Sequence, residues 1–268
     1  MNKYLIFSLT LLFACTFSQA QTINQTDANG LKQGTWGKFT SEGTPIYEGT
    51  FKDGKPIGTW KRYHSNGIIR AQLTYVENTD FCSVLLFDNT GKKIASGGYV
   101  NEQREGVWLF FRNMIKVCEE YYIDGKKTGN SATFYDTGEL MSESNFANGT
   151  ANGAYRAYNK DGSVYFECMM KDGMRDGYCQ IFFDNGAVEI IGYYEKDIRE
   201  KDWEYFHKDG SKAYTLHYKG GLVTNTAVLD SVSALRLKGM EKDGKHIADP
   251  EQFMDNPSQY MQILRNKQ

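Results

Sequence analysis

A 24-residue period runs through most of this 268-residue chain and constrains its fold more than any other feature. A glycine slot recurs at positions 34, 58, 82, 106, 129, 153, 177 and 201, every step being 24 residues except one of 23. Six of these positions are Gly; the others are Cys82 and Lys201. Five residues after the slot stand Phe39, Tyr63, Phe87, Phe111, Phe134, Tyr158, Phe182 and Phe206, an aromatic in each of eight copies. Two residues after it stand Trp36, Trp60, Val84, Trp108, Ser131, Tyr155, Cys179 and Trp203, a column that holds all four tryptophans. Near the end of each copy come Phe51, Tyr75, Tyr99, Tyr122, Phe146, Met170, Tyr194 and Tyr218.

Each copy carries two turn signals. Asp53-Gly54, Asp124-Gly125, Asn148-Gly149 and Asp172-Gly173 mark one, because Gly tolerates positive φ and Asx bonds its own backbone. Asn66-Gly67, Asp161-Gly162, Asn185-Gly186 and Asp209-Gly210 mark the other; only the fourth, shorter copy lacks its glycine, with Asn113 nearby. Between turns lie strand-length segments rich in Tyr, Phe, Val, Ile and Thr. The expected fold is all-β: an elongated antiparallel meander of eight hairpins, sixteen strands in a sheet about 75 Å long at about 4.8 Å per strand. The plus-five aromatics are expected to form the core, since every hairpin needs the same packing. Val76–Cys82 and Lys196–Lys201 lack the turn glycines, which predicts longer or irregular loops there.

The run Asp53-Gly54-Lys55-Pro56-Ile57-Gly58-Thr59-Trp60-Lys61-Arg62-Tyr63-His64-Ser65-Asn66-Gly67 resembles the bacterial variant of the MORN repeat, and residues 148–162 and 172–186 follow the same pattern. The resemblance covers about residues 28–222. It implies β-meanders used for protein contact and, in some eukaryotic members, lipid contact. Some bacterial relatives carry an antitoxin label, which an exported protein does not fit.

Lys3, the apolar run Tyr4 to Phe17 and Ser18-Gln19-Ala20 read as a signal peptide over residues 1–20, cut before Gln21. The run is 14 residues long, short of the roughly 20 that a spanning helix needs. The competing reading is a lipoprotein box, Leu12-Phe13-Ala14-Cys15, that would anchor Cys15 to the outer membrane. The repeat array occupies 28–222. A tail over 223–268 holds Asp249-Pro250 and Asn256-Pro257 starts and an apolar helical face at Tyr260, Met261, Ile263 and Leu264, which predicts short helices capping the sheet. Asp230 to Met240 reads as a helix or a last strand.

The charge balance, 31 Lys+Arg against 33 Asp+Glu, lacks the basic field of a nucleic-acid binder. No hydrolase, zinc-protease or phosphate-loop motif appears, so no catalytic residue, metal site or cofactor is expected, and the chain reads as a non-enzyme. His64, His207, His217 and His246 are scattered and read as solvated surface. Cys168 and Cys179 flank the Asp172-Gly173 turn symmetrically; a four-residue loop from Asp172 to Arg175 would set them opposite each other, within reach of a cross-strand disulfide. Cys82 and Cys118 occupy different slots and are not expected to pair.

Three functions follow, in order. The first is an exported scaffold binding an unknown protein, periplasmic or outside the cell. The second is a cell-surface glycan binder that exposes Trp36, Trp60, Trp108 and Trp203 along one face. The third is an enzyme, for which no convergent set of polar groups is seen.

Overall fold

The computed structural model describes residues 22–244, with side chains through Met240. The leader with Cys15 and the tail from Asp249 onward lie outside the described residues. The chain divides into two compact units, residues 1–103 and 104–268. The first holds strands β1 (Gln25–Thr26), β2 (Lys32–Phe39), β3 (Pro45–Lys52), β4 (Lys55–Tyr63), β5 (Ile69–Tyr75), β6 (Phe81–Phe87) and β7 (Lys93–Val100). The second begins with β8 (Gln103–Arg112) and continues with β9 (Ile115–Ile123), β10 (Lys126–Lys127), β11 (Gly129–Phe134), β12 (Leu140–Ala147), β13 (Thr150–Tyr158) and β14 (Val164–Lys171). Then come β15 (Met174–Phe182), β16 (Val188–Glu195), β17 (Ile198–Phe206), β18 (Lys212–Lys219), β19 (Leu222–Val223) and helix α1 (Thr226–Gly244). Within each unit the long strands pair antiparallel with their neighbours along the chain, β11 pairing β9 past the two-residue β10, a hairpin meander as the period predicts.

The turns obey the φ requirement more than the glycine signal. Asp53 and Gly54 take φ of 50° and 78°, the paired positive values of a two-residue turn whose twist matches the strands. Lys196 and Asp197 adopt 49° and 67° with no glycine at all, so the irregular loop expected in the eighth repeat is absent. Asn113 and Met114 do the same at 49° and 68°. That two-residue turn replaces the longer one of the other repeats, which is why the fourth copy is a residue short. Only the third repeat departs, joining β5 to β6 through Val76–Asp80.

The glycine slot is a bulge. Gly58 sits at φ 61°, and the register jumps from Glu48↔Lys61 to Thr50↔Ile57, leaving extra residues on β4 opposite Gly49. A bulge re-aims a side chain, and here it swings Trp60 over Gly49. Lys201 holds the same conformation at φ 60°. The third repeat has Cys82 in the slot, no positive φ there and an unbroken β5–β6 register.

The enclosed column is therefore plus-two and not plus-five. Val84, Trp108, Ser131, Cys179 and Trp203 are all buried. The plus-five aromatics are half-buried and Phe39 is 46% exposed. They stand three residues after the plus-two column and so point to the opposite face by strand alternation. The register shift beside each, as at Arg62 and Tyr63, puts its extra residue on the partner strand. There the Phe39 ring lies over Gly37, and the Tyr63 and Tyr158 hydroxyls donate to Glu48 and Glu143.

Both outermost strands end under an asparagine. Next to β1, the Asn24 backbone N–H donates to the Thr35 carbonyl, while its side-chain amide donates to the Gly37 carbonyl and accepts from the Gly37 N–H, each at 2.9 Å. Next to β19, Thr224 donates to the His217 carbonyl, and the Asn225 amide accepts from His217 N–H and donates to the Thr215 carbonyl, again at 2.9 Å. An asparagine amide presents the donor and acceptor of a missing strand, which blunts an edge that would otherwise recruit another chain. Asn225→Ala is expected to leave two backbone groups without their partners, cost about 1–2 kcal/mol, and speed exchange of the His217 amide roughly tenfold by hydrogen–deuterium exchange.

Candidate binding surface

One face of the sheet carries the plus-two column and the aromatics that close each repeat. In the first unit Phe51 meets Trp36 and Trp60 edge-on, with centroids 5.6 and 4.8 Å away. In the second, Trp203 meets Tyr194 at 5.1 Å and Tyr218 at 5.7 Å, both edge-on. Cations two residues before the glycine slot lie over these rings: Lys32 over Trp36, Arg104 over Trp108, Arg175 over Tyr194 and Arg199 over Trp203, at 4.1–4.7 Å. Their stems and charged heads cover the aromatic row from solvent while gaining cation–π attraction.

Of the four predicted Trp residues, Trp108 is 0% and Trp203 4% exposed, while Trp36 and Trp60 are half-buried. The Trp60 and Trp203 indole N–H groups donate inward, to the Thr50 and Tyr193 carbonyls. A sugar ring needs an open aromatic face, and the structure presents no row of four.

The cysteines are brought together. Cys168 and Cys179 are direct cross-strand partners with Cα atoms 4.1 Å apart and their sulfurs joined. The connecting turn is two residues, Asp172-Gly173, and not four; the Asp176–Tyr178 bulge makes up the difference in register. Cys82 is buried and Cys118 half-buried, each a free thiol pushed up in pKa mainly by burial. His217 contacts Asp202 at 2.6 Å and His64 reaches the Phe87 carbonyl at 3.0 Å. Among the described residues no group of His, Cys, Asp and Glu could hold a metal, and no helix is long and apolar enough to cross a membrane.

The opposite face of the second unit is amphipathic. Glu143, Arg156 and Glu167 face each other on β12, β13 and β14; Arg156 reaches Glu167 at 2.9 Å and Glu143 at 3.5 Å. Burial first, and then the Glu143 carboxylate, raises the Tyr158 phenol; in the first unit burial and then the Glu48 carboxylate push Tyr63 up to about 12. Beside this polar row stand exposed apolar groups: Tyr165, Met169 and, at 60% exposure, Tyr178, which packs edge-on against Tyr193 at 5.1 Å. Sequence reasoning missed this patch because Tyr178 and Met169 flank the bulge, and periodicity alone does not say which side of a bulge faces solvent.

The geometry defines a class: antiparallel β-hairpin repeats that pack, within each unit, through an aromatic column on one face. The family model of the MORN repeat variant matches residues 56–77 and 127–148, two stretches within the hairpin array, and supports the resemblance to that repeat. No curated protein sequence matches this chain. Solved structures similar to it include a GtfA/B complex, at 16% identity over 54% of this chain and 22% of that chain, with a TM-score of 0.25. A mutant of S. aureus TarM in complex with fondaparinux, alpha-GlcNAc-glycerol and UDP is similar at 17% identity over 48% and 21%, with a TM-score of 0.22. The chain thus spans about a fifth of their length, and what those proteins bind says nothing about this one.

Proposed function

We propose that the array is a protein-binding surface of an exported, non-enzymatic protein that works in the cell envelope, in the periplasm or outside the cell. The observation that carries this reading is the Tyr165, Met169 and Tyr178 patch beside the Glu143–Arg156–Glu167 row. Exposed Tyr and Met next to Arg is the composition that concentrates binding energy in protein interfaces. The asparagine-covered outer strands direct a partner to this face and away from strand addition. Export rests on the leader-like residues 1–20. Burial of Trp108 and Trp203 argues against the glycan reading.

The test is capture from envelope extract by the purified chain and by a Met169→Glu/Tyr178→Glu variant. Wild type is expected to retain a defined protein that the variant retains at least tenfold less, with both thermal midpoints alike because the substituted side chains meet solvent. Equal retention by the two proteins sinks the assignment of this patch.

A further inference from the structure

The repeat boundaries share one packing slot, which holds a glycine and a tryptophan at some boundaries, Leu73 and Val84 or Ser144 and Tyr155 at others, and two cysteines at one. Gly49 admits the Trp60 indole at the junction of the first and second repeats, and Gly192 admits Trp203 at the junction of the seventh and eighth. In both the glycine stands eleven residues before the tryptophan, opposite the bulge. At the junction of the sixth and seventh repeats the same two positions hold Cys168 and Cys179, with the same spacing and the same bulge. Two cysteines have far less volume than an indole. Yet this slot is closed: Cys168 is 0% and Cys179 4% exposed, in one cluster with Tyr194, Trp203 and Leu216. The Cα separation of 4.1 Å belongs to the closer kind of antiparallel pair, in which side chains lie side by side.

We propose that the Cys168–Cys179 disulfide is a redox-dependent joint that stands in for the tryptophan wedge at this boundary. Oxidised, the covalent link holds the sixth and seventh repeats together. Reduced, the slot is underfilled and this boundary opens before the others. Bond formation removes two electrons and two protons from the thiols; a disulfide oxidant such as oxidised glutathione takes them up and leaves as two thiols through a mixed disulfide. Because both sulfurs are enclosed, exchange requires the boundary to open, so the link forms as the repeats pair. Cys118 does not compete: it lies on β9, with β11 and β12 between it and the sixth repeat. The inference does not depend on where the protein works.

The chain is reduced, refolded in a glutathione redox buffer or in excess reductant, alkylated and mapped by mass spectrometry, and its thermal midpoint is read in both states. A single Cys168–Cys179 link with Cys82 and Cys118 alkylated is expected, and the oxidised midpoint should lie roughly 5–10 °C above the reduced one. A Cys168→Ser/Cys179→Ser variant should match the reduced chain in both buffers. Cys168→Gly with Cys179→Trp, which copies the wedge of the neighbouring boundary, should recover most of the lost midpoint and ignore redox state. Alkylated Cys168 and Cys179 after oxidation, or equal midpoints in the two buffers, overturn the proposal, and the native chain decides this even if the Gly/Trp variant fails to fold.

Discussion

Trp203→Ala is expected to destabilise the second unit by about 3–5 kcal/mol, measured as a shift of the denaturant midpoint at unchanged slope. The size follows from what the indole touches. It is 4% exposed, lies edge-on between Tyr194 and Tyr218, sits on Gly192, carries the Arg199 guanidinium 4.4 Å above it and donates to the Tyr193 carbonyl at 3.3 Å. Truncation removes the largest side chain of the cluster, and the bulge that aims it leaves no neighbour able to fill the space. Trp36→Ala is the internal control: its ring is half-buried in the first repeat, with no preceding repeat to supply a glycine beneath it. It should cost less than half as much. Equal losses would mean that the glycine of the preceding repeat adds nothing to the packing of the indole.

The period made the hairpins legible because turns and strands are local. Asp-Gly and Asn-Gly pairs announce positive φ, and Asp53, Asp124, Asn148 and Asp172 do adopt it, each near 50°. The same rule misled at Lys196-Asp197, where flanking strands already in register impose a left-handed turn on residues that do not favour it. Pairing across the sheet overrode the local signal. The core was misread for a different reason. The two columns stand three residues apart and so face opposite ways by alternation, and an aromatic in every copy pointed to plus-five as the core. Burial goes to plus-two instead, because the glycine bulge aims that position over the last strand of the preceding repeat, as Trp60 over Gly49. A signal for the true core was present in the sequence all the same: Trp60, Trp108 and Trp203 each follow a glycine by eleven residues, and Cys179 follows Cys168 by the same distance. The exposed patch at Met169 and Tyr178 had no such signal, because periodicity does not say which side of the bulge faces solvent.

Gly192→Ala reverses an ordinary expectation and so tests the packing slot most directly. Gly192 lies mid-strand in β16 without a positive φ, a setting where alanine normally stabilises by about 0.5–1 kcal/mol through a stiffer unfolded chain. Here a Cβ would stand 2.3 Å from Cδ2 and 2.4 Å from Cε2 of Trp203. The indole cannot yield by a small rotation, since Tyr194 and Tyr218 hold its edges and Arg199 its outer face. The substitution is expected to cost about 2–3 kcal/mol, the upper part of the overpacking range. Gly49→Ala should behave alike, because its Cβ would meet the Trp60 ring at 2.0 Å. The cause is then separated by a cycle. In a Trp203→Leu background the ring is gone, and Gly192→Ala should become neutral or mildly stabilising, a coupling of at least about 2 kcal/mol between the two positions. If alanine costs the same with and without the indole, the penalty belongs to the strand backbone, and the glycine eleven residues before a tryptophan would not be a packing partner. A cost that vanishes with the ring makes that spacing the packing element of the boundaries that carry it.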